Sequence, residues 1–449
     1  MLEQPINQAS PTEFSSRRTF SIQVAWTFAA RILMIFNSVA AGIIVARWLG
    51  AEGVGQLAVI NVSVATIVQL GSVGLPSANT YFIARDRNRL ASAAINSLLF
   101  SFVVGSVLAL GLAELATLHP GWFGFVSPQL IGIAAISIPF QLLAFIGLNI
   151  FLALGQIRQF NLLDLIGQSS VLLNSVVALV ILHRSLGMLV SLNTGASVVV
   201  SLIIAVLLVS SARKLRERWT PGSGKWRADL SLMRKMMRYG LKFHISILAG
   251  ALIFRADLLV VNHFRGAAEA GVYSVASQVA MMLMLLPAVI ATLLFPRVTA
   301  EQERGSELTC RTTRHTTFVM LLICLATVPG SFALPLLYGA AFKDVSIQLL
   351  ILLPGVFLIG IEAVLVQYFT ATGMPFAIPL FWLVTLVINI CLVFGLVPAF
   401  GARGAALAST ISYSLVFALV AYYFCAKTGM PMSSFLLLRR DEWRKLKTV

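Results

Sequence analysis

The chain has 449 residues, of which 58% are hydrophobic and only 11% charged, with a mean hydropathy of +0.90. A soluble domain carries about 25% charged residues, so this chain lacks the polar surface to dissolve and must use lipid as its solvent. The formal charge of +16 does not point to nucleic acid. Its basic residues lie between apolar runs, where the natural partner is an anionic membrane surface.

The N-terminus is polar through Thr19 and then apolar for more than twenty residues. That run is too long for a signal-peptide core, so it is expected to remain as a spanning helix. Apolar runs near crossing length predict twelve spans: 20–46, 53–83, 91–117, 128–153, 159–182, 187–210, 240–263, 270–296, 314–337, 345–371, 376–399 and 403–426. These suit helices crossing a hydrocarbon core of about 30 Å. The short alternating segments of a membrane β-barrel are missing. The expected fold class is an all-α integral membrane protein.

One polar stretch divides the chain. Ser211 to Arg238 holds nine Lys or Arg, two acids and a Pro-Gly-Ser-Gly break, with about 210 residues on either side. The organisation that follows is a cytoplasmic tail (1–19), a six-helix lobe (20–210), a basic cytoplasmic linker (211–238), a second six-helix lobe (239–426) and a basic cytoplasmic tail (427–449). With the N-terminus inside, the inner segments carry 25 Lys or Arg and the outer loops five. This bias places both termini and the linker in the cytoplasm.

The two halves echo each other. Gly50-x4-Gly55 recurs as Gly266-x4-Gly271 at an offset of 216, and Phe151-Leu-Ala-Leu-Gly155 as Phe369-Thr-Ala-Thr-Gly373 at 218. Pro76 and Pro296, 220 apart, are read as closing the second and eighth spans. An even number of spans per half makes the repeats parallel. That predicts a pseudo-two-fold axis along the membrane normal, with a substrate path between the lobes. Prolines inside spans (Pro139, Pro287, Pro329, Pro354) are expected to kink them.

Several chemistries are excluded. Pro221-Gly-Ser-Gly-Lys225 suggests a phosphate loop, but Trp219 stands where the first glycine belongs and Trp226 where Ser or Thr belongs. Asn61-Val-Ser63 fits a glycosylation site but lies inside a span. There is no zinc-protease or serine-hydrolase motif, and no enzyme activity is expected. The four cysteines (Cys310, Cys324, Cys391, Cys425) form no CxxC and no metal-ligand spacing with the histidines, so they are expected to be free thiols with no metal or cofactor.

Charges within spans carry the functional signal, because a charge at mid-bilayer costs about 2.5–3.5 kcal/mol on insertion scales. Arg31 lies in the first span; Lys242, His244, Arg255 and Asp257 lie in the seventh. His244 and Arg255, eleven positions apart, fall about 20° from each other on a helix and share a face. Arg255 and Asp257 are two apart and do not face each other. A cationic cavity for an anionic headgroup would use Arg31, Arg255, Lys242 and His244, since the Arg fork suits phosphate. The competing possibility is internal pairing, Arg31 with Glu362 or Asp164 and Arg255 with an acid on another helix. Asp257, Glu362 and Asp164 are candidates for ion coupling or for such pairs.

The stretch Ala46-Arg47-Trp48-Leu49-Gly50-Ala51-Glu52-Gly53-Val54-Gly55 resembles the A-R-x-L-G-x-x-x-(Y/F)-G stretch after the first helix of polysaccharide and O-antigen flippases. Arg255-Ala-Asp257 followed by Gly271-Val-Tyr-Ser-Val-Ala276 resembles their helix 7–8 region. These flippases belong to the multidrug/oligosaccharidyl-lipid/polysaccharide exporter superfamily. Val54, where an aromatic is usual, departs from the pattern, as does Leu186-Gly187-Met188 beside its partner Phe400-Gly-Ala-Arg-Gly404. The resemblance implies a V-shaped pair of six-helix lobes in the bacterial inner membrane. Its cargo would be an oligosaccharide on polyprenyl pyrophosphate, such as an O-antigen, capsule or exopolysaccharide unit, delivered from the cytoplasmic to the periplasmic leaflet. Polymerase machinery would be a further partner. The alternatives are an ion-coupled multidrug or small-metabolite antiporter of the same superfamily, or a lipid II flippase.

Overall fold

Hydrocarbon offers no hydrogen bonds, so a spanning backbone must satisfy its own N–H and C=O groups, and a helix does this within one segment. The computed structural model describes residues 17–124, 126–219 and 228–437; the side chains of residues 17–25, 212, 214–219, 242, 243, 296 and 302 lie outside the described part. No strand occurs among the described residues. In chain order the helices are α1 (Arg17–Gly71), α2 (Leu75–Arg85), α3 (Leu90–Leu118), α4 (Pro128–Ala135), α5 (Ile138–Ala153), α6 (Ile157–Ser175) and α7 (Leu186–Trp219). After the linker come α8 (Leu230–Arg265), α9 (Ala267–Met282), α10 (Leu285–Ala300), α11 (Gly305–Ser331), α12 (Leu334–Tyr338), α13 (Val345–Thr372), α14 (Ala377–Thr428) and α15 (Ser433–Leu436).

Nine described segments are long and apolar enough to cross a membrane. Two of them, Trp26–Gly71 and Ala377–Thr428, have 46 and 52 residues. At about 1.5 Å per residue each is more than twice the hydrocarbon thickness. Both break at a glycine in a conformation that only glycine adopts freely: Gly50 (φ 65, ψ −173) and Gly401 (φ 60, ψ −141). Each therefore supplies two runs of crossing length. Across the second break, Gly404 packs on the Leu396 carbonyl, so close that a Cβ there would lie 2.5 Å from its oxygen.

Other predicted spans are interrupted. The second run stops at Ser72–Gly74, where Val73 and Gly74 both have positive φ, and resumes as α2. Pro76 thus opens α2 and does not close the span, because proline fits the first helical turn. The fourth expected span divides into α4 and α5 just before Pro139, and the eighth into α9 and α10 just before Pro287. Pro296 lies within α10 and Pro354 within an unbroken α13, while Pro329 lies two residues from the end of α11. Helix α11 starts at Gly305, well before its expected start at 314.

The linker is mostly helix. Helix α7 runs on to Trp219, and α8 begins at Leu230, where the Asp229 side chain accepts a hydrogen bond from the Leu232 amide at 2.9 Å. Residues 220–227, like the expected tails up to residue 16 and beyond 437, lie outside the described residues.

Two of the three sequence correspondences recur as backbone geometry. Gly266 (φ 87, ψ 172) has the conformation of Gly50. Gly155 and Gly373 both have positive φ, and each precedes an amide that reaches back five residues, Gln156 to the Phe151 carbonyl (2.9 Å) and Met374 to the Phe369 carbonyl (2.6 Å).

Candidate functional site

One face of α8 meets the N-terminal half of the chain. Gly240, His244, Arg255 and Asn262 lie within about 60° of one another at 100° per residue. At the end nearest the linker, the Gly240 and Gly74 backbones touch: a Cβ on Gly74 would lie 2.2 Å from the Gly240 oxygen, and one on Gly240 would lie 2.6 Å from the Gly74 oxygen. One turn on, His244 is 4% exposed beside the Leu70 carbonyl, and neither ring nitrogen has a well-formed hydrogen bond. At the opposite end Asn262 is 1% exposed, pressed against Gly124, whose Cβ would lie 2.6 Å from its amide nitrogen. The neighbouring His263 Nδ1 lies 2.9 Å from the Gly121 carbonyl oxygen.

Between these two closures, Arg255 is exposed and makes no ion pair or hydrogen bond among the described residues. It stands about 16 Å along the helix from His244 and about 10 Å from Asn262. The α8 face is thus covered at both ends by the other half, with Arg255 exposed between the two contacts.

Helix α1 also carries a cation on a face that meets the other half. Arg31, Ser38 and Gly42 fall within about 40° on one face. Ser38 accepts a hydrogen bond from Gln278 of α9 (2.7 Å), and Gly42 packs against the Tyr338 hydroxyl. Further along, Arg47 donates to the Leu337 carbonyl at 2.8 Å and to that of Leu336. Arg31 itself pairs with Asp164 of α6 at 3.0 Å, their side chains 39% and 19% exposed. Of the two acids named for it, the structure brings it to Asp164 and not to Glu362. The same α1–α6 seam holds Asn161 donating to Thr27 and Asn37 donating to Ser169, both at 2.7 Å.

The other two acids lie inside the C-terminal half. Asp257 is buried; one carboxylate oxygen accepts from the Tyr273 hydroxyl and from Ser409 (2.8 Å), the other from the Leu258 amide (2.8 Å). Arg255, pointing elsewhere, takes no part. Glu362 is buried with one oxygen lacking a hydrogen-bond partner among the described residues and the Trp382 indole as its polar neighbour. Phe254 packs on both Trp382 and Tyr413, ring centroids 6.0 and 5.2 Å away. The Lys242 side chain lies outside the described part.

No group of three His, Cys, Asp or Glu among the described residues could hold a metal. None of the four cysteines, all among the described residues, is in a disulfide, and Cys310 and Cys324 are buried. Sequence reasoning overlooked Asn262. Its seven-residue spacing from Arg255 puts it two turns along the same face, which is the signal that would have found it.

The helical architecture and the enclosed inter-half face define a multi-pass membrane protein of the V-shaped exporter fold. Solved structures agree. A lipid II flippase MurJ in an inward closed conformation superposes with a TM-score of 0.74 at 16% identity, over 93% of this chain and 89% of that one. An inward-facing multidrug resistance MATE family transporter of the MOP superfamily gives 0.69 at 14%, over 90% and 98%. The MATE multidrug transporter DinF-BH gives 0.64 at 16%, over 97% and 100%. No curated protein matches the chain. Residues 23–302 match the profile of the polysaccharide biosynthesis protein family, and the chain belongs to that family.

Proposed function

We propose that the protein is a flippase that carries an oligosaccharide linked to polyprenyl pyrophosphate from the cytoplasmic to the periplasmic leaflet by alternating access, without an enzymatic step. One observation carries this reading: Arg255 is unpaired among the described residues and exposed midway along a face of α8 that is closed at both ends by the other half. An unpaired cation at that depth would cost about 2.5–3.5 kcal/mol in lipid, and it is offset when an aqueous cavity or an anionic headgroup meets it. A pyrophosphate supplies the charge, and the planar Arg fork donates two hydrogen bonds to it.

Arg31, held by Asp164, is the second cation of the cavity. In this reading the linker end is cytoplasmic, as its basic residues require. The chain crosses the bacterial inner membrane twelve times as two parallel six-helix lobes, and the lipid tail stays in the bilayer while the sugar passes between them. Polymerase machinery would take the product, and anionic lipids would meet the basic linker and tail. Asp257 and Glu362 fit a coupling-ion role. Their burial in the C-terminal half is what favours the second reading, a cation-coupled antiporter of small molecules.

The two readings part in the native host. Deleting the gene and complementing with wild type or Arg255→Ala tests them, with surface polysaccharide and polyprenyl-linked oligosaccharide measured together. Lost polymer with accumulated lipid-linked units, unrescued by the variant at normal expression, supports the flippase. Unchanged polymer with new sensitivity to cationic drugs establishes the antiporter instead.

A further inference from the structure

We infer that Asn262 and His244 bind the uncharged sugar part of the cargo headgroup, one at each end of the α8 face, while Arg255 between them holds the phosphate. This rests on the flippase reading above. Asn262 is 1% exposed and His244 4%, yet neither amide atom of Asn262 has a hydrogen-bond partner among the described residues, and the His244 ring has only the Leu70 carbonyl beside it, with no well-formed bond. Leaving such groups buried and unsatisfied costs stability, and most proteins avoid it.

The elements opposite offer Asn262 nothing and His244 only the Leu70 carbonyl. Asn262 faces Gly124, and His244 lies one turn from the contact between Gly240 and Gly74, so glycine from the other half presents backbone where a polar side chain would otherwise stand. Both residues share the helical face of Arg255, so each joins the cavity when its own end opens. A carboxamide offers two donors and an acceptor with two lone pairs, and an imidazole one donor and one acceptor. Vicinal sugar hydroxyls, which both donate and accept, match these sets; phosphate oxygens, which only accept, match Arg255 better. The unpaired groups also make each closed end easier to open and leave a hydrogen-bonding demand that the headgroup satisfies.

The test uses full-length protein in lipid nanodiscs and two probes: geranylgeranyl pyrophosphate, which has no sugar, and a polyprenyl-pyrophosphate-linked disaccharide. Asn262→Leu and His244→Leu remove the polar groups at similar bulk, and Asn262→Ser keeps a hydroxyl. The expected result is that both Leu variants melt no lower than wild type and bind the sugar-free probe unchanged. They bind the disaccharide probe about tenfold or more weakly, because a sugar hydroxyl that meets an apolar wall is left unpaired. Asn262→Ser recovers part of the loss. Equal binding of the disaccharide probe by wild type and Leu variants overturns the inference, as does equal loss of both probes. A lowered melting temperature in the Leu variants would show a structural role and overturn it too. Wild type that binds neither probe removes the flippase reading itself, whereas wild type that binds both with unaffected variants removes only the roles of Asn262 and His244.

Discussion

Arg255 and Asp257 are two residues apart on α8, yet their surroundings are opposite. The first is exposed and, among the described residues, unpaired; the second is buried and held by three donors. A charge-assisted hydrogen bond contributes about 1.5–3 kcal/mol. Arg255→Ala should therefore weaken binding of geranylgeranyl pyrophosphate about 10–100-fold with little change in melting temperature, and Arg255→Lys should recover part of it because the charge remains but the fork is gone. Titration of the purified variants checks this. Arg31 behaves differently, being already paired with Asp164 at 3.0 Å. Arg31→Ala leaves a partly buried carboxylate alone and should cost about 1–3 kcal/mol, towards the lower end because the pair is partly exposed and screened. The double variant Arg31→Ala/Asp164→Asn should regain much of that loss in thermal unfolding, since both members of the pair are then neutral. A double variant no more stable than Arg31→Ala would mean the pair does not act as a unit.

At the level of elements, the two halves touch through small residues, as expected where lipid is as apolar as any side chain and close backbone approach is the main attraction. Helix α1 beyond its break crosses α9 reciprocally: a Cβ on Gly55 would lie 1.7 Å from the Ala267 oxygen, and one on Gly271 would lie 2.0 Å from the Ala51 oxygen. Gly55 and Gly271 are the pair that the sequence set 216 positions apart. Either glycine changed to Ala must push the helices apart at a cost of about 1–3 kcal/mol. The check is a disulfide between Ser38→Cys and Gln278→Cys, whose parent side chains hydrogen-bond across the same two helices at 2.7 Å. Its yield should fall in Gly55→Ala, and an unchanged yield would show that this crossing does not hold the halves together. At the other end of the C-terminal half, α15 tucks Phe435 against Phe424, and Arg314 of α11 donates to the Ser434 carbonyl at 2.8 Å. Phe435→Ala should lower stability by about 3–5 kcal/mol, read by thermal unfolding.

For the whole molecule, both ends of the inter-half face are closed at once. Gly55 meets Gly271 at one end and Gly74 meets Gly240 at the other, 19 residues apart along the second run, or about 28 Å if helical. That is about the thickness of the hydrocarbon core. Beyond the second crossing, the linker end is clamped by Asn96, whose side chain donates to the Asp229 carbonyl (2.8 Å) and accepts from its amide (3.0 Å). Tyr81 stacks on Tyr239 with centroids 4.5 Å apart. Opening towards the linker must break all three contacts. Asn96→Ala should shift the population towards the open form by about 1–3 kcal/mol, the penalty for two lost hydrogen bonds with one backbone pair left unsatisfied. Faster maleimide labelling of a thiol placed at His244 would report it. Labelling at the wild-type rate would show that the clamp does not control this end.

Much of this was open to reading in the primary structure. Spanning segments are legible because the bilayer imposes one length and one polarity on every crossing. The glycines at 50, 55, 155, 266, 271 and 373 stood out by their spacing, and Arg31 and Arg255 because isolated charges in apolar runs are conspicuous. Breaks were harder: Pro354 leaves α13 unbroken, whereas Ser72–Gly74 interrupts a run that looked continuous, because neighbouring helices decide whether freed backbone groups find partners. Sequence periodicity put His244 and Arg255 on one face but did not show that its ends are buried and its middle open. It left Arg31 with two possible acids, and it held no sign of Asn262 beneath Gly124 or of Asn96 against Asp229. Those are contacts between residues more than a hundred positions apart. Class and the inventory of charges within apolar runs are local properties, so the order of the residues was enough to establish them. Which charge is paired and which is left exposed between two inter-half contacts depends on how the halves close on one another, and that emerged only from the folded chain.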